Sequence, residues 1–129
     1  MILAIKTDAN EAELYILKES GMVIDKYQWK AGRQLADTLL PKIKNLLKKN
    51  SLDFKNLSGV CVFSGEGSFT GLRIGTSLSN ALAYSLDIKV FKTKGKDWLS
   101  QIPHGFKNAK SNEWVIPDYD REPNITKPN

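Results

Sequence analysis

The sequence has few of the residues on which catalytic and redox chemistry usually depends. Among its 129 residues there is one cysteine, Cys61, and one histidine, His104. One cysteine excludes an internal disulfide, and one Cys with one His argues against a zinc site. A hydrolytic site would need His104 paired with a Ser or Cys nucleophile and oriented by a third group. Asp8, Asp118 and Asp120 could hold magnesium, but aspartates isolated in turns more often act as caps. We therefore expect no catalytic residue, no metal and no cofactor.

Long apolar runs and arginines are also scarce. No run approaches the ~20 apolar residues of a membrane span, and "MILAIKTDAN" lacks a signal-peptide pattern, so we expect a cytoplasmic chain with no membrane contact. Sixteen lysines but only three arginines carry the net charge of +5. Specific phosphate or base recognition usually favours arginine. The densest cluster, "KVFKTKGK" (89–96), could touch RNA, but the preferred interpretation is a solvated strand end.

Hydrophobic patterning predicts a single mixed α/β lobe. Five apolar segments have strand character, and Ser20-Gly21 between the second and third indicates a hairpin. Two segments have helical spacing, the first with Pro41 inside it and the second with an apolar stripe expected to face the sheet. Right-handed crossovers would place the first, fourth and fifth strands side by side, as in ribonuclease H-like folds. The predicted strands are 2–5, 13–19, 22–29, 59–63 and 88–91; the first helix carries Leu35, Leu39, Leu40, Ile43, Leu46 and Leu47, and the second, at 74–86, carries Ile74, Leu78, Ala81, Leu82 and Leu86.

The stretch "SGEGSFTGLRIG" (64–75) connects a predicted strand to the second helix. Thr70 stands where a Rossmann fingerprint needs its third glycine, and "GLRIG" lacks the Lys-Ser/Thr of a P-loop. The helix N-terminus could bind an anion, or Ser68 or Thr70 could cap it. Glu66 counts against phosphate, whereas Arg73, placed in the first turn, requires an opposing negative charge. These residues favour a structural or partner-binding role over nucleotide binding.

The same loop resembles the signature G-P-G-S-F-T-G-x-R-x-G of the TsaB (YeaZ) family. "MILAIKT", "LLPKIKNLL" and "NALAYSLDIKVF" are similar to family segments around it, so the likeness covers residues 1–92, and "YDREPNITKPN" is loosely similar to the family's tail. The loop positions concerned are Gly65, Glu66, Gly67, Ser68, Phe69, Thr70, Gly71, Arg73 and Gly75, with Glu66 in place of the signature proline.

The resemblance implies an actin-like (ASKHA) lobe that is non-catalytic and serves tRNA threonylcarbamoyladenosine synthesis. It implies a heterodimer with the catalytic paralogue TsaD, assisted by the ATPase TsaE, with tRNA reached indirectly and a homodimer possible when the chain is alone. In the family, the two helices of this lobe meet those of TsaD in a four-helix bundle. The interface residues expected on this basis are Leu35, Leu39, Ile43, Arg73, Ser77, Ala81, Tyr84 and Ser85.

The sequence departs from the family pattern in charge and in length. Lys6 replaces the usual aspartate of the first strand, which argues against nucleotide binding, and we expect Lys6 to pair with Glu66. A second lobe normally follows the fifth strand; here 1–92 would form the lobe and 93–129 an irregular segment and tail, which we interpret as an internal loss. The uncovered flank would then need the tail, a second copy or TsaD. The competing hypotheses are a small nucleotide-binding enzyme (phosphotransferase or peptidase-like) and a lysine-rich RNA-binding module.

Overall fold

The computed structural model describes residues 1–67 and 69–116. In it, the chain folds into a mixed five-stranded sheet with helices on both faces. The strands are β1 (Ile2–Lys6), β2 (Glu11–Leu17), β3 (Val23–Lys30), β4 (Gly59–Phe63) and β5 (Lys89–Thr93), and the helices are α1 (Leu35–Lys49), α2 (Phe69–Leu86) and α3 (Ile102–Asn108). Ser68, Asp118, Asp120 and the predicted tail lie outside the described residues.

The strand order is β3-β2-β1-β4-β5. β1 pairs in parallel with β4, and β4 with β5, while β2 runs antiparallel to both β1 and β3. Gly21 takes a positive φ of 101° in the turn between β2 and β3, a conformation open to glycine. The predicted topology and the predicted hairpin are therefore confirmed.

Helix α1 covers one face of the sheet through the apolar positions that its periodicity predicts. Its core residues are 5 % exposed or less, and they pack with side chains of β1 and β2 in one apolar cluster. Leu40 differs, because it is 38 % exposed and points out of this cluster. Pro41 lies inside the helix, as expected. The buried side chains of α1 are Leu35, Leu39, Ile43, Leu46 and Leu47.

Helix α2 presents a different face to the sheet from the one predicted. Ala81 is exposed, and Ile74, Leu78 and Leu86 are only half-buried. Small residues take the sheet-facing positions because they let the helix backbone approach the strands closely, and Ser79 Oγ donates a hydrogen bond to the Gly75 carbonyl at 2.7 Å. The residues buried on α2 are Gly71, Leu72, Gly75, Thr76, Ser79, Leu82 and Ala83.

The second face of the sheet is covered by the segment that follows β5. That segment was predicted to be irregular, but it makes turns over 95–101 and then forms α3. Trp98 and Ile102 are buried there against Ile2, Phe63 and other side chains of the second apolar cluster. The flank expected to need a tail or a partner is thus covered by residues 94–110, although a domain boundary at residue 92 stays a prediction.

Candidate functional site

The glycine loop and the start of α2 pack against the end of β1. Thr7 is 1 % exposed, and its Oγ1 donates a hydrogen bond of 2.7 Å to the Gly71 carbonyl. A Cβ on Gly75 would collide with that same Oγ1, and a Cβ on Gly67 would lie 2.5 Å from the Asp8 carbonyl oxygen. Gly67 also has a φ of +151°. Two signature glycines therefore permit close packing, which is the structural role expected of them.

The charge at position 6 is neutralised within the β1–β2 hairpin. Lys6 Nζ lies 2.6 Å from Asp8 Oδ1 and 3.8 Å from Glu13 Oε2. The antiparallel register places Glu13 directly opposite Lys6, and the turn brings Asp8 back to it. Glu66 is exposed in the loop. The predicted Lys6–Glu66 pair is therefore wrong, because closer carboxylates already hold the ammonium group.

Two aromatic side chains complete the surroundings of Lys6. Its ammonium nitrogen lies 4.7 Å from the centre of the Phe63 ring. Tyr15 Oη donates a hydrogen bond to Glu13 Oε1, and burial, followed by this bond and the Glu13 charge, raises the pKa of Tyr15. The carboxylates beside the loop are thus engaged with groups of the chain itself, an arrangement in which they would not be free to hold a metal–nucleotide complex.

Arg73 lies in the second turn of α2, since the helix begins at Phe69 and not at the predicted position. Its side chain is exposed, and it has no carboxylate partner among the described residues. The repulsion by the helix dipole falls off within the first turn, so the dipole places a weaker demand on Arg73 than the sequence predicted. The exposed guanidinium is nevertheless accessible to a negative group from outside the described part of the chain.

A groove of about 630 Å³ lies between α1 and α2, with Arg73 on its wall. Its walls combine apolar side chains with small polar ones, and Leu40 and Ser77 are exposed in it. Leu40 was assigned from periodicity to the apolar stripe of α1, whereas Ala36, four residues before it on the same helix face, was not singled out. The lining residues are Ala36, Leu39, Leu40, Thr70, Arg73, Ile74, Ser77 and Leu78.

The residues expected at a partner interface divide into two groups. Leu35, Leu39 and Ile43 are 5 %, 1 % and 0 % exposed because they face the sheet, so they belong to the chain's own core and not to an exposed surface, although Leu39 also lines the groove. The α2 residues are exposed, and Tyr84 reaches 75 % exposure. The exposed set is Arg73, Ser77, Ala81, Tyr84 and Ser85; their role at an interface stays a prediction.

A short segment after α3 returns to the outer flank of α2. The Asn80 side chain donates to the Val115 carbonyl at 2.9 Å and accepts from the Val115 N–H at 3.0 Å. Val115 is buried in the main core, while Trp114 is 45 % exposed and lies edge-on to Tyr84 at 5.9 Å between ring centres. Trp114 is thus a surface residue.

Cys61 and His104 have surroundings that do not suggest a reactive site. Cys61 is fully buried, and burial raises the pKa of its thiol to about 12. His104 is exposed on α3 beside Asn108. Within 1–67 and 69–116, no three His, Cys, Asp or Glu side chains are grouped to hold a metal ion. No helix in the described part of the chain is long and apolar enough to cross a bilayer.

Comparison with known proteins identifies the relatives of this fold. Residues 28–107 match the family model described as TsaD, tRNA N6-adenosine threonylcarbamoyltransferase. The TsaB protein of Bacillus subtilis (strain 168), named for tRNA threonylcarbamoyladenosine biosynthesis, is 35% identical over 89 residues, which are 69% of this chain and 38% of that protein. The chain spans about two-fifths of the length of the curated relatives it matches.

Solved structures agree with this relationship. YeaZ from Pseudomonas aeruginosa superposes with a TM-score of 0.65 and 26% identity, over 72% of this chain and 43% of that one. RuvC from T. thermophilus superposes over 90% of this chain and 82% of that one with a TM-score of 0.52, and at 10% identity it supports the fold alone. Because the family model covers more than half of the sequence, the chain belongs to the family that this model describes, and its resemblance to the TsaB/YeaZ proteins is confirmed.

Proposed function

We propose that the chain is a non-catalytic accessory subunit in tRNA threonylcarbamoyladenosine biosynthesis and that it pairs with a TsaD-type protein through the α1–α2 groove. The observation that carries the proposal is the exposed face of α2. This helix turns Gly75, Thr76 and Ser79 toward the sheet, and it leaves Ser77 exposed in the groove and Ala81 and Tyr84 exposed further along the helix. Small exposed residues next to half-buried Ile74 and Leu78 permit close approach of a second helix pair.

The electrostatics of the groove support the same assignment. Arg73 is exposed and has no carboxylate partner among the described residues, and an acidic side chain on a docked helix would pair with it. The ring of Tyr84 offers an amphipathic contact of the kind enriched at protein interfaces. When a TsaD-type protein is absent, a second copy of this chain could occupy the same groove, which would give a homodimer. We further propose that TsaE and tRNA reach the chain through the assembled complex.

The alternative of a small nucleotide-binding enzyme has weaker support. The glycine loop, where a phosphate would have to bind, carries Glu66, and Asp8 and Glu13 already contact Lys6. Thr7 uses its hydroxyl to hold Gly71. A nucleotide would have to displace these contacts before it could bind there, and this rearrangement would weaken its affinity.

Pairing is tested with a charge placed in the groove. Ser77→Arg puts a long cation where a partner helix would lie, and steric overlap with a buried, unpaired charge typically costs several kcal/mol in a packed interface. We expect this variant to lose the complex with a TsaD-type protein from the same organism. Size-exclusion chromatography with light scattering measures the loss, and circular dichroism confirms that the variant is folded.

The matched control is Ser20→Arg, at the exposed turn between β2 and β3. It introduces the same side chain away from the groove, so its complex should form as with the original chain. If folded Ser77→Arg still pairs like this control, the α1–α2 groove is not the interface.

A further inference from the structure

Arginine is scarce in this chain, and two of its three arginines lie beside the same end of the α1–α2 groove. Sixteen lysines supply the other basic side chains. Arg33 lies in a short 3-10 turn just before α1, and Arg73 lies on α2. A guanidinium group binds a carboxylate or a phosphate through paired hydrogen bonds, whereas a lysine acts as a point charge. The scarcer cation is therefore placed where recognition of an anion is possible.

The topology of the sheet brings the two arginines to one place. β3, β4 and β5 all run in the same direction as β1. Helix α1 returns from β3 to β4, and α2 returns from β4 to β5, so both helices begin at the same edge of the sheet. Arg33, at the start of α1, thus comes close to the start of α2, although it is distant from Arg73 in the sequence.

A second recess, of about 260 Å³, adjoins the groove at this end. It lies between the turn after β1, the start of α1 and the start of α2. Thr70 and Ile74 line both the recess and the groove, while Arg33 lines the recess and Arg73 lines the groove. We call this junction, formed by these four residues, the arginine end of the groove.

The arginine end is positively charged and its charge is uncompensated. Both arginine side chains are exposed, and neither has a carboxylate partner among the described residues. None of the described residues that line the recess or the groove is an aspartate or a glutamate. Asp37 and Glu66, the exposed acids closest in sequence to Arg33 and Arg73, line neither of them. The end of the groove is therefore complementary to a negatively charged group.

We infer that the arginine end binds carboxylate side chains of the partner that docks in the groove, an inference that rests on the proposed function. The groove next to it has apolar walls that include Leu40, Ile74 and Leu78. An amphipathic helix with acidic residues at one end covers these walls and pairs with the arginines. A free phosphate would pair with the arginines but would leave the apolar walls in water.

The arginine end gives the docked partner a defined orientation. Apolar contact along the groove tolerates a partner helix in either direction, whereas charge at one end distinguishes the two directions. A partner without acidic residues at the matching position would leave Arg33 and Arg73 unpaired in the interface, which lowers its affinity. The two arginines are thus specificity-determining residues of the proposed interface.

The test removes the two arginine charges and compares them with two charges on the other side of the sheet. Arg33→Gln with Arg73→Gln is matched by Lys26→Gln with Lys30→Gln, which lowers the net charge equally. Trp29 of the same strand contacts α1, so the exposed side chains of Lys26 and Lys30 point to the opposite face. Titration calorimetry measures the affinity of each full-length chain for a TsaD-type protein from the same organism at several salt concentrations.

The two variants should behave differently. We expect the arginine pair to weaken binding about tenfold or more at about 0.1 M salt and to make binding less dependent on salt. The lysine pair should change neither property by more than about twofold. Circular dichroism checks that each variant is folded.

A second arm identifies the acidic group on the partner. Arg33→Lys with Arg73→Lys keeps both charges and should retain most of the binding. In the complex, a water-soluble carbodiimide activates a partner carboxylate, the lysine nitrogen displaces the activated group, and an amide bond forms while the carbodiimide leaves as its urea. Mass spectrometry should find position 33 or 73 joined to an Asp or Glu of the partner. This arm also decides the question if the glutamine pair fails to fold.

The outcomes separate this inference from the pairing itself. Equal affinities of the arginine and lysine pairs, or no coupling of positions 33 and 73 to a partner carboxylate, would overturn the inference and leave the pairing intact. Inorganic phosphate should weaken the complex no more than chloride at matched ionic strength; a stronger effect would assign the arginine end to a phosphate ligand instead. If the original chain forms no complex, the pairing and the inference are both wrong.

Discussion

At the residue scale, the Thr7 hydroxyl explains why glycines recur in the loop and helix that follow β4. This hydroxyl is held by the Gly71 carbonyl and occupies the space that a side chain at position 75 would need. The glycine pattern was visible in the sequence, and it was compatible both with close packing and with an anion-binding loop. The contacts of Thr7 with Gly71 and Gly75, and of Asp8 with Gly67, decide in favour of close packing. These residues are distant in sequence, so no local pattern could reveal the contacts.

The first residue-scale prediction concerns this close approach. Gly75→Ala should lower the free energy of unfolding by about 1–3 kcal/mol, because the added methyl group overpacks the contact with Thr7. Urea denaturation measures the change, and Ser77→Ala, on the exposed side of the same helix, should stay within about 0.5 kcal/mol. Combining Gly75→Ala with Thr7→Ala should recover part of the loss, so strictly additive effects would contradict the proposed contact.

At the element scale, α3 and the turns before it cover the face of the sheet opposite α1, which the sequence had led us to expect to be exposed. Trp98 is 5 % exposed and meets the rings of Tyr15 and Phe63 edge-on, with ring centres 5.6 and 5.5 Å away. Residues 94–110 therefore complete the second core of the sheet. They lie beyond residue 92, where the resemblance seen in the sequence ended, although the matching family model extends to residue 107.

Trp98→Ala should accordingly destabilise the whole fold. Removing a buried tryptophan costs about 3–5 kcal/mol, a large share of the stability of a typical domain. Trp114→Ala is the matched control, since Trp114 is 45 % exposed, and it should cost less than about 1 kcal/mol. Chemical denaturation compares the two, and equal losses would show that α3 is dispensable for the core.

Comparison of the helices indicates what a sequence of this kind can predict. The stripe of α1 was predicted correctly because large apolar residues recur at helical spacing and all but Leu40 are buried. The same rule misplaced the stripe of α2, where Gly75, Thr76 and Ser79 face the sheet and Ala81 does not. Helix α3 was missed because "IPHGFKN" contains both Pro and Gly and has little apolar periodicity. The sheet topology could be predicted from the order of the strands and the handedness of crossovers. The residues that line the groove could not, because they depend on how α2 is rotated about its axis, which only the structure shows.

At the scale of the whole molecule, the chain presents two distinct flanks around α1. The α2 side carries the groove with Arg73 and Ser77, and the β3 side carries a recess lined by Tyr27, Lys42 and Lys49. On our account, a TsaD-type partner occupies the groove on the α2 side. Pairing at the groove is the central claim of this account.

That claim is tested most directly by thiol labelling. Cys61 is buried and burial raises its pKa to about 12, so a cysteine introduced at an exposed position is the reactive thiol of the chain at neutral pH. Ser77→Cys is labelled with a maleimide in the presence and absence of a TsaD-type protein from the same organism, with Ser20→Cys as the control, and mass spectrometry follows this chain. We predict that a saturating partner slows labelling at position 77 at least tenfold and leaves position 20 unchanged. Equal labelling of position 77 with and without bound partner would contradict the account.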